Sequence, residues 1–272
     1  FIQMKILLNN NDLNEALDNT SNLGFVPTMG SLHKGHISLI KTSLKQCKKT
    51  IVSIFVNPKQ FNNKRDYLKY PRNNKLDLSI LKKLNVDFVF IPKKRDIYEE
   101  KRNSKIKLLK KDNILCAKFR KGHFEGVLDV MDRLTKLINP KKIFMGEKDL
   151  QQLYLVKRYI ENNYDSKIIQ CKTIRNNKLA LSSRNFLLKK NEIIKIEKLS
   201  KYLISLKKSL NNKKNLKKFL YIKKKELNKK FSVSIEYFDL RNKYNFKRSN
   251  ETKNSKLFIA YYVGKIRLID NF

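Results

Sequence analysis

The sequence predicts an α/β chain: a parallel sheet covered by helices on both faces, followed by a smaller α+β portion. Between residues 24 and 171, short apolar strands alternate with helical segments of about ten residues or more. Parallel strands need crossovers of that length, because each strand is entered from the same end. After about residue 172 the alternation stops, and two amphipathic helices precede three short strands. The expected domains are 1–172 and 173–272.

The elements follow in order. Residues 24–28 read as a short buried strand, and Ile37, Leu39, Ile40, Leu44 and Cys47 recur at helical spacing over 36–47. Residues 50–56 are apolar and β-branched, as a strand buried on both faces must be. Pro71 is expected to open a helix to about Leu84, with Leu76, Leu78, Ile80, Leu81 and Leu84 on its apolar face. Residues 86–91 form another strand, stopped by Pro92. A helix over 123–138 leads past Asn139-Pro140 to a strand over 142–145, and a helix over 150–162 leads to a strand over 167–171. Ile196, Leu199, Leu203, Leu206 and Leu210 mark one later helix, and Leu216, Leu220, Leu227 and Phe231 a second. Strand-like segments over 233–239, 257–263 and 266–269 end the chain, which has no internal repeat.

The net charge of +38 over 272 residues, taken alone, points to a polyanionic partner. Its make-up points elsewhere. Of the 62 cationic residues 50 are Lys and 12 Arg, Asn and Ile are abundant, and Trp is absent. AT-rich codons generate that composition without selection for nucleic acid, which is not an expected partner. Residues 189–230 hold 16 Lys against three Glu, but the apolar stripe interrupts them regularly, so the run reads as a solvated helix face. Cys47, Cys116 and Cys171 lie far apart without a C-x-x-C spacing, which fits a reducing cytoplasm. Apolar runs reach about seven residues, against the ~20 of a membrane span, so no membrane partner is expected. Ile6-Leu7-Leu8 runs straight into Asn9-Asn10-Asn11-Asp12, unlike a signal peptide, and Met4 is the expected start.

One window concentrates the chemistry. Pro27-Thr28-Met29-Gly30-Ser31-Leu32-His33-Lys34-Gly35-His36 contains two of the chain's three His and two of its seven Gly. Its order is strand end, glycine turn, helix start. Such a start presents free N–H groups and the positive end of the helix dipole, which together attract an anion. His33 and His36 share a face and can both donate to phosphate oxygens. A metal site would need a third ligand, from His123 or an acid.

Four further segments are candidates. Gly146-Glu147-Lys148-Asp149-Leu150-Gln151-Gln152 lies where a strand meets a helix, the usual place for ligands in parallel sheets. Leu181-Ser182-Ser183-Arg184-Asn185 offers two hydroxyls and a guanidinium to a phosphate chain, or else a helix cap. Phe55-Val56-Asn57-Pro58-Lys59-Gln60-Phe61 follows a strand and places amide groups beside apolar ones. Arg120-Lys121-Gly122-His123-Phe124-Glu125-Gly126-Val127 adds two more glycines.

With Tyr70-Pro71-Arg72 and Gly264-Lys265-Ile266-Arg267-Leu268-Ile269-Asp270-Asn271, this ordered set resembles the pantoate–β-alanine ligases, also called pantothenate synthetases, over nearly the whole chain. The resemblance implies a Rossmann-like nucleotidyltransferase domain with a smaller C-terminal lid, in a homodimer. It implies condensation of pantoate with β-alanine using ATP and Mg²⁺, through a pantoyl-adenylate. Met29, Gly30, Ser31, Leu32, His33, Lys34, Gly35 and His36 would then hold ATP, with His36 as proton donor. Gly146, Glu147, Lys148, Asp149, Ile174, Leu181, Ser182, Ser183 and Arg184 would complete the ATP site, and Lys148, Arg184 and both histidines would neutralise developing charge. Gln60 and Gln152, with Thr28 and Met29, would hold pantoate, and Gln60 would also lie near β-alanine.

The chain departs from the family pattern in places. Lys121 stands where Pro is usual and Lys178 where Gly is usual. An acidic pair is reduced to Leu76-Asp77, leaving Asp77 as the protein's expected Mg²⁺ ligand, with the ion held mainly by the ATP phosphates. The stretch 99–119 is diverged. Two other readings remain: another nucleotidyltransferase with the same histidine motif, such as a phosphopantetheine or nicotinate-nucleotide adenylyltransferase, which lacks the two Gln motifs, and a decayed chain that binds polyanions.

Overall fold

The computed structural model describes residues 4–99, 106–212 and 215–272. Residues 100–105 of the diverged stretch therefore lie outside the described residues. The chain divides into two compact units, Phe1–Lys172 and Thr173–Phe272.

The first unit is a six-stranded parallel sheet with flanking helices. In chain order it comprises β1 (Lys5–Leu7), α1 (Asn10–Leu17), β2 (Leu23–Thr28), α2 (Lys34–Gln46), β3 (Lys49–Ile54), α3 (Lys64–Lys69), α4 (Asn74–Lys83), β4 (Phe88–Phe90) and α5 (Lys94–Tyr98). There follow α6 (Cys116–Phe119), α7 (His123–Ile138), β5 (Lys142–Gly146), α8 (Leu150–Asn163) and β6 (Lys167–Cys171). The strand order is β1-β4-β3-β2-β5-β6. Phe25 and Val26 of β2, Ile51 and Val52 of β3 and Ile143 and Phe144 of β5 are all 0% exposed. That is why these strands read as continuous apolar runs: helices cover both faces.

The boundaries show where local chemistry overrides periodicity. The segment from Thr50 leaves the ladder after Ile54, because Asn57 and Pro58 start a short 3-10 turn over Pro58–Gln60. Pro71 does not open a helix. Asn73 caps α4 by accepting from Leu76 N–H at 3.1 Å, so the helix starts at Asn74. Arg72 instead donates to the Leu68, Tyr70 and Tyr67 carbonyls, closing the end of α3. The sequence reading did not anticipate α3. Nor did it anticipate β1, whose three residues pair with β4 at the sheet edge. Elements of six and three residues are too short to display a period.

The second unit is α+β. A hairpin of β7 (Arg175–Asn176) and β8 (Leu179–Ala180) precedes α9 (Lys190–Lys208) and α10 (Leu216–Phe231). Then β9 (Ser234–Asn242), β10 (Ser255–Val263) and β11 (Ile266–Asn271) form an antiparallel sheet, ordered β11-β10-β9. Ile196, Leu199 and Leu203 of α9 and Leu216, Leu220 and Leu227 of α10 share one core with Leu257 and Ile259 of β10. Among the described residues, the lysines between those positions are exposed or half-buried, as the solvated-face reading requires. Arg175 donates to both carboxylate oxygens of buried Asp270 at 2.7 Å and to the Asn271 carbonyl at 2.9 Å, tying the hairpin to the last strand.

Lys178 occupies a left-handed position. The two-residue loop of the hairpin has φ +46° at Asn177 and +73° at Lys178, the pattern of a type I′ turn. A side chain in that region costs ~1–2 kcal/mol, and glycine's greater freedom in the unfolded chain offsets about half of the gain on replacement. Lys178→Gly is therefore expected to stabilise the protein by about 0.5–1 kcal/mol. Thermal unfolding checks this, and a lowered midpoint would contradict it.

Candidate active site

Strand β2 pairs with β3 on one side and β5 on the other, so the winding of the sheet reverses between β2 and β5. A crevice opens at the carboxyl ends of strands at such a point. The segments that leave β2 and β5 there are 29–36 and 147–152.

The first turn is built by side chains that reach backbone groups. Thr28 Oγ1 donates to the Ser53 carbonyl at 2.7 Å and accepts from Gly30 N–H at 3.1 Å. Gly30 and Ser31 then both take left-handed backbone angles, φ +74° and +54°. A Cβ at Gly30 would lie 3.0 Å from Asp77 Oδ2 and 3.1 Å from Ile54 Cγ2, so the position demands glycine on two counts. Asp77, fully buried at 0% exposure in the first turn of α4, accepts from Ser31 N–H at 2.7 Å and Leu32 N–H at 2.8 Å.

The two histidines then cap α2. Gly35 N–H donates to His33 Nδ1 at 3.0 Å, and His33 N–H donates to His36 Nδ1 at 3.3 Å. The arrangement is a capping box in which imidazoles replace the usual hydroxyl and carboxylate. The rings lie against each other with centroids 4.1 Å apart and planes tilted by 33°. Because each Nδ1 accepts, each neutral ring carries its proton on Nε2 and offers one N–H donor. Burial pushes His33 down to about 4, with the Lys148 ammonium adding to the effect and Asp149 opposing it. Burial likewise pushes His36 down to about 3, helped by His33 and Lys148. Both rings are therefore neutral at physiological pH.

The reach of Lys148 to both imidazoles shows that the structure brings the β5 turn next to the start of α2. The Lys148 side chain is only 17% exposed, with its ammonium 3.5 Å from Asp149 Oδ1. Glu147 accepts from Gln170 Nε2 at 2.6 Å. A Cβ at Gly146 would meet nothing within 4 Å. Lys34 is exposed, while Ser31 and Leu32 are buried.

A third segment joins them through Gln60. Its Nε2 donates to Met29 Sδ at 2.8 Å, and its Oε1 accepts from Asn57 Nδ2 at 3.3 Å. Its backbone carbonyl accepts from His123 Nδ1 at 2.7 Å and from Arg120 at 3.2 Å. Arg120 also donates to His123 Nε2 at 2.8 Å, which fixes the Nδ1–H tautomer. Helix α7 comes so close here that a Cβ at Gly126 would collide with the Lys59 carbonyl oxygen and lie 3.0 Å from Gln60 N. Asn57 closes the contact by donating to the Gly126 carbonyl at 3.0 Å. Asn57, Arg120 and His123 thus support Gln60, a role the sequence reading missed. The glycine placed at 126 was the available signal. Lys121 is exposed, and its carbonyl accepts from Asn62 Nδ2.

The adjacent glutamines of α8 separate. Gln151 is buried and structural: it accepts from Cys116 N–H at 3.0 Å and donates to the Asp112 and Ile114 carbonyls. Gln152 is half-buried, and its amide makes no hydrogen bond among the described residues. In the second unit, the Ile174 carbonyl accepts from Leu181 N–H at 3.1 Å. Ser182 Oγ accepts from Arg184 N–H at 3.3 Å and caps a 3-10 turn over Ser183–Leu187. Ser183 is buried, and Arg184 donates to the Arg267 carbonyl at 3.3 Å.

Asp77, the expected metal ligand, turns its carboxylate to the backbone instead. Among the described residues no group of three or more His, Cys, Asp or Glu is placed to hold a metal ion.

The fold and the turns at its switch point are those of a Rossmann-like α/β nucleotide-handling enzyme. The chain belongs to the pantoate–β-alanine ligase family, whose model matches residues 5–272. It is 39% identical to the pantothenate synthetase of Flavobacterium psychrophilum over 268 residues, covering 95% of this chain and 94% of that protein. It is 41% identical to that of Clostridium botulinum over 259 residues, 94% and 92% of the two chains. The crystal structure of pantoate–β-alanine ligase from Francisella tularensis, complexed with β-γ ATP and β-alanine, matches with a TM-score of 0.85 and 37% identity, over 99% and 97% of the chains. The crystal structure of pantothenate synthetase from Thermus thermophilus matches with a TM-score of 0.91 at 28% identity, over 99% of both chains.

The histidine geometry has a spectroscopic consequence. The Cε1–H resonances of His33 and His36 are expected to stay flat between pH 7.5 and 5, and an NMR titration midpoint near 6.5 in either would contradict it. In the unfolded chain both bind protons near pH 6.5, whereas the folded rings wait until about 4 and about 3. The unfolded state holds more protons in that window, so acidification through it lowers stability.

Proposed function

We propose that the pantoate carboxylate attacks the α-phosphorus of ATP in line, forming pantoyl-adenylate and releasing pyrophosphate. The β-alanine amine then attacks the acyl carbon, loses a proton as the amide forms, and releases AMP. As a member of its family the chain is a ligase that condenses pantoate with β-alanine using ATP. What supports these steps most is the pair of adjoining imidazoles at the start of α2, within the electrostatic reach of Lys148, at the point where the sheet winding reverses.

The first step needs no base, since a carboxylate is already ionised. The enzyme must align two anions and stabilise charge that builds on the pyrophosphate. The Nε2–H groups of His33 and His36 and the Lys148 ammonium are proposed as donors to the phosphates. Burial keeps the His36 ring neutral to about pH 3, so its proposed donor role is through the Nε2–H. The segment Met29–His36 and the turn Gly146–Asp149 are proposed as the nucleotide site, with Ile174, Leu181, Ser182, Ser183 and Arg184 of the second unit as further ATP contacts. Gln60 and Gln152, beside Thr28 and Met29, are proposed to bind pantoate, with Gln60 also near β-alanine. Met29 and Asn57 hold the Gln60 amide, so its orientation is set in advance.

Mg²⁺ is proposed to be held mainly by the ATP phosphate oxygens, since the Asp77 carboxylate is turned to the Ser31 and Leu32 N–H groups. The working form is proposed to be a cytoplasmic homodimer. The three free thiols suit a reducing compartment, and no helix among the described residues is long and apolar enough to cross a membrane.

Labelled pyrophosphate is expected to exchange into ATP when pantoate is present and β-alanine absent. Exchange that depends on β-alanine would refute the adenylate. His36→Ala and Lys148→Ala are each expected to slow single-turnover adenylate formation on the order of 10²-fold, since a preorganised donor to developing charge supplies ~3–4 kcal/mol. Near-normal rates in either would remove that residue from the mechanism.

A further inference from the structure

We propose that Asp77 is a positioning residue that clamps the backbone of 30–32, and through it the two histidine donors, and that it does not ligate magnesium. The proposal rests on the reading of this crevice as the ATP site and assigns one residue a role within it.

The geometry is specific. Asp77 is fully buried, and each of its carboxylate oxygens accepts one backbone N–H, from Ser31 at 2.7 Å and Leu32 at 2.8 Å. Ser31 is held at φ +54°, a conformation that its Cβ disfavours. Bonds to an ionised acceptor are the strong kind, and two of them meet a single carboxylate at this turn. The next residue, His33, is the cap of α2, so the direction in which both Nε2–H groups point is inherited from this turn. Gly30 completes the fit, because any Cβ there would press on Asp77 Oδ2.

The same facts argue against a metal role. A magnesium ligand keeps an oxygen open to a hydrated ion, whereas this carboxylate has no exposed surface and spends one lone pair of each oxygen on the loop. The neighbouring position, Leu76, is exposed at 52% but carries no ligand atom.

The test is Asp77→Asn, nearly isosteric but with an amide NH₂ facing one of the two N–H donors. The variant is expected to raise the KM for ATP about 10-fold or more in pyrophosphate exchange and to shift the Cε1–H resonances of His33 and His36. The magnesium concentration for half-maximal rate, at fixed ATP, is expected to stay within about 2-fold. A several-fold rise in that concentration, or an unchanged KM for ATP, would overturn the proposal. If the variant does not fold, wild-type amide exchange decides. The Ser31 and Leu32 amides are expected to be protected without nucleotide and to remain so on adding ATP with Mg²⁺. Loss of protection on that addition, or none beforehand, would sink the clamp. Absence of pyrophosphate exchange in the wild type would instead count against the functional reading, leaving the nucleotide-free amide measurement intact.

Discussion

Five backbone donors of the turn from β2 into α2 are taken up by side chains of the same unit, and the site depends on that. Gly30 N–H goes to Thr28, Ser31 and Leu32 N–H to Asp77, His33 N–H to His36, and Gly35 N–H to His33. A glycine turn at a helix start normally recognises an anion with its own backbone. Here five of those groups are committed to side chains, and the two imidazoles, whose Nδ1 atoms are taken by the backbone, keep Nε2–H as their donor. The exchange also explains why histidine serves: its two nitrogens let one ring cap the helix with one face and donate with the other.

A second dependence runs through Gln60. Three segments far apart in sequence meet on this residue: Met29 on its amide, Asn57 on its amide oxygen, and Arg120 with His123 on its carbonyl. Gly126 admits them by letting α7 approach the 58–60 turn. The side chain is held from one side and its backbone from the other, so reorganisation on substrate binding is small.

The strands and long helices were legible because their faces are uniform. The pairs Ile51-Val52 and Ile143-Phe144 are buried on both sides and read as apolar without interruption. Helix α7 could be bounded at His123 and Ile138 because Gly122 and Asn139 flank it, both left-handed in the structure. Asp77 was visible as a carboxylate but not as a clamp, since its partners lie 45 and 46 residues away and a backbone N–H leaves no mark on sequence. Gln151 and Gln152 were equally polar on paper. Adjacent helix positions differ by about 100°, and only packing against 112–116 decides which one turns inward.

The double histidine cap separates what the fold needs from what the chemistry needs, within one side chain. The fold uses only an acceptor at Nδ1, which an asparagine amide oxygen supplies equally well at a helix start. The donor at Nε2 has no counterpart in that shorter residue, whose reach ends at the cap. Drift toward asparagine in so AT-rich a composition would therefore leave the helix intact while emptying the crevice of its donor. A chain that had lost its reaction by this route would keep its architecture, and the imidazoles at 33 and 36 are the positions at which such silent loss would first be recorded.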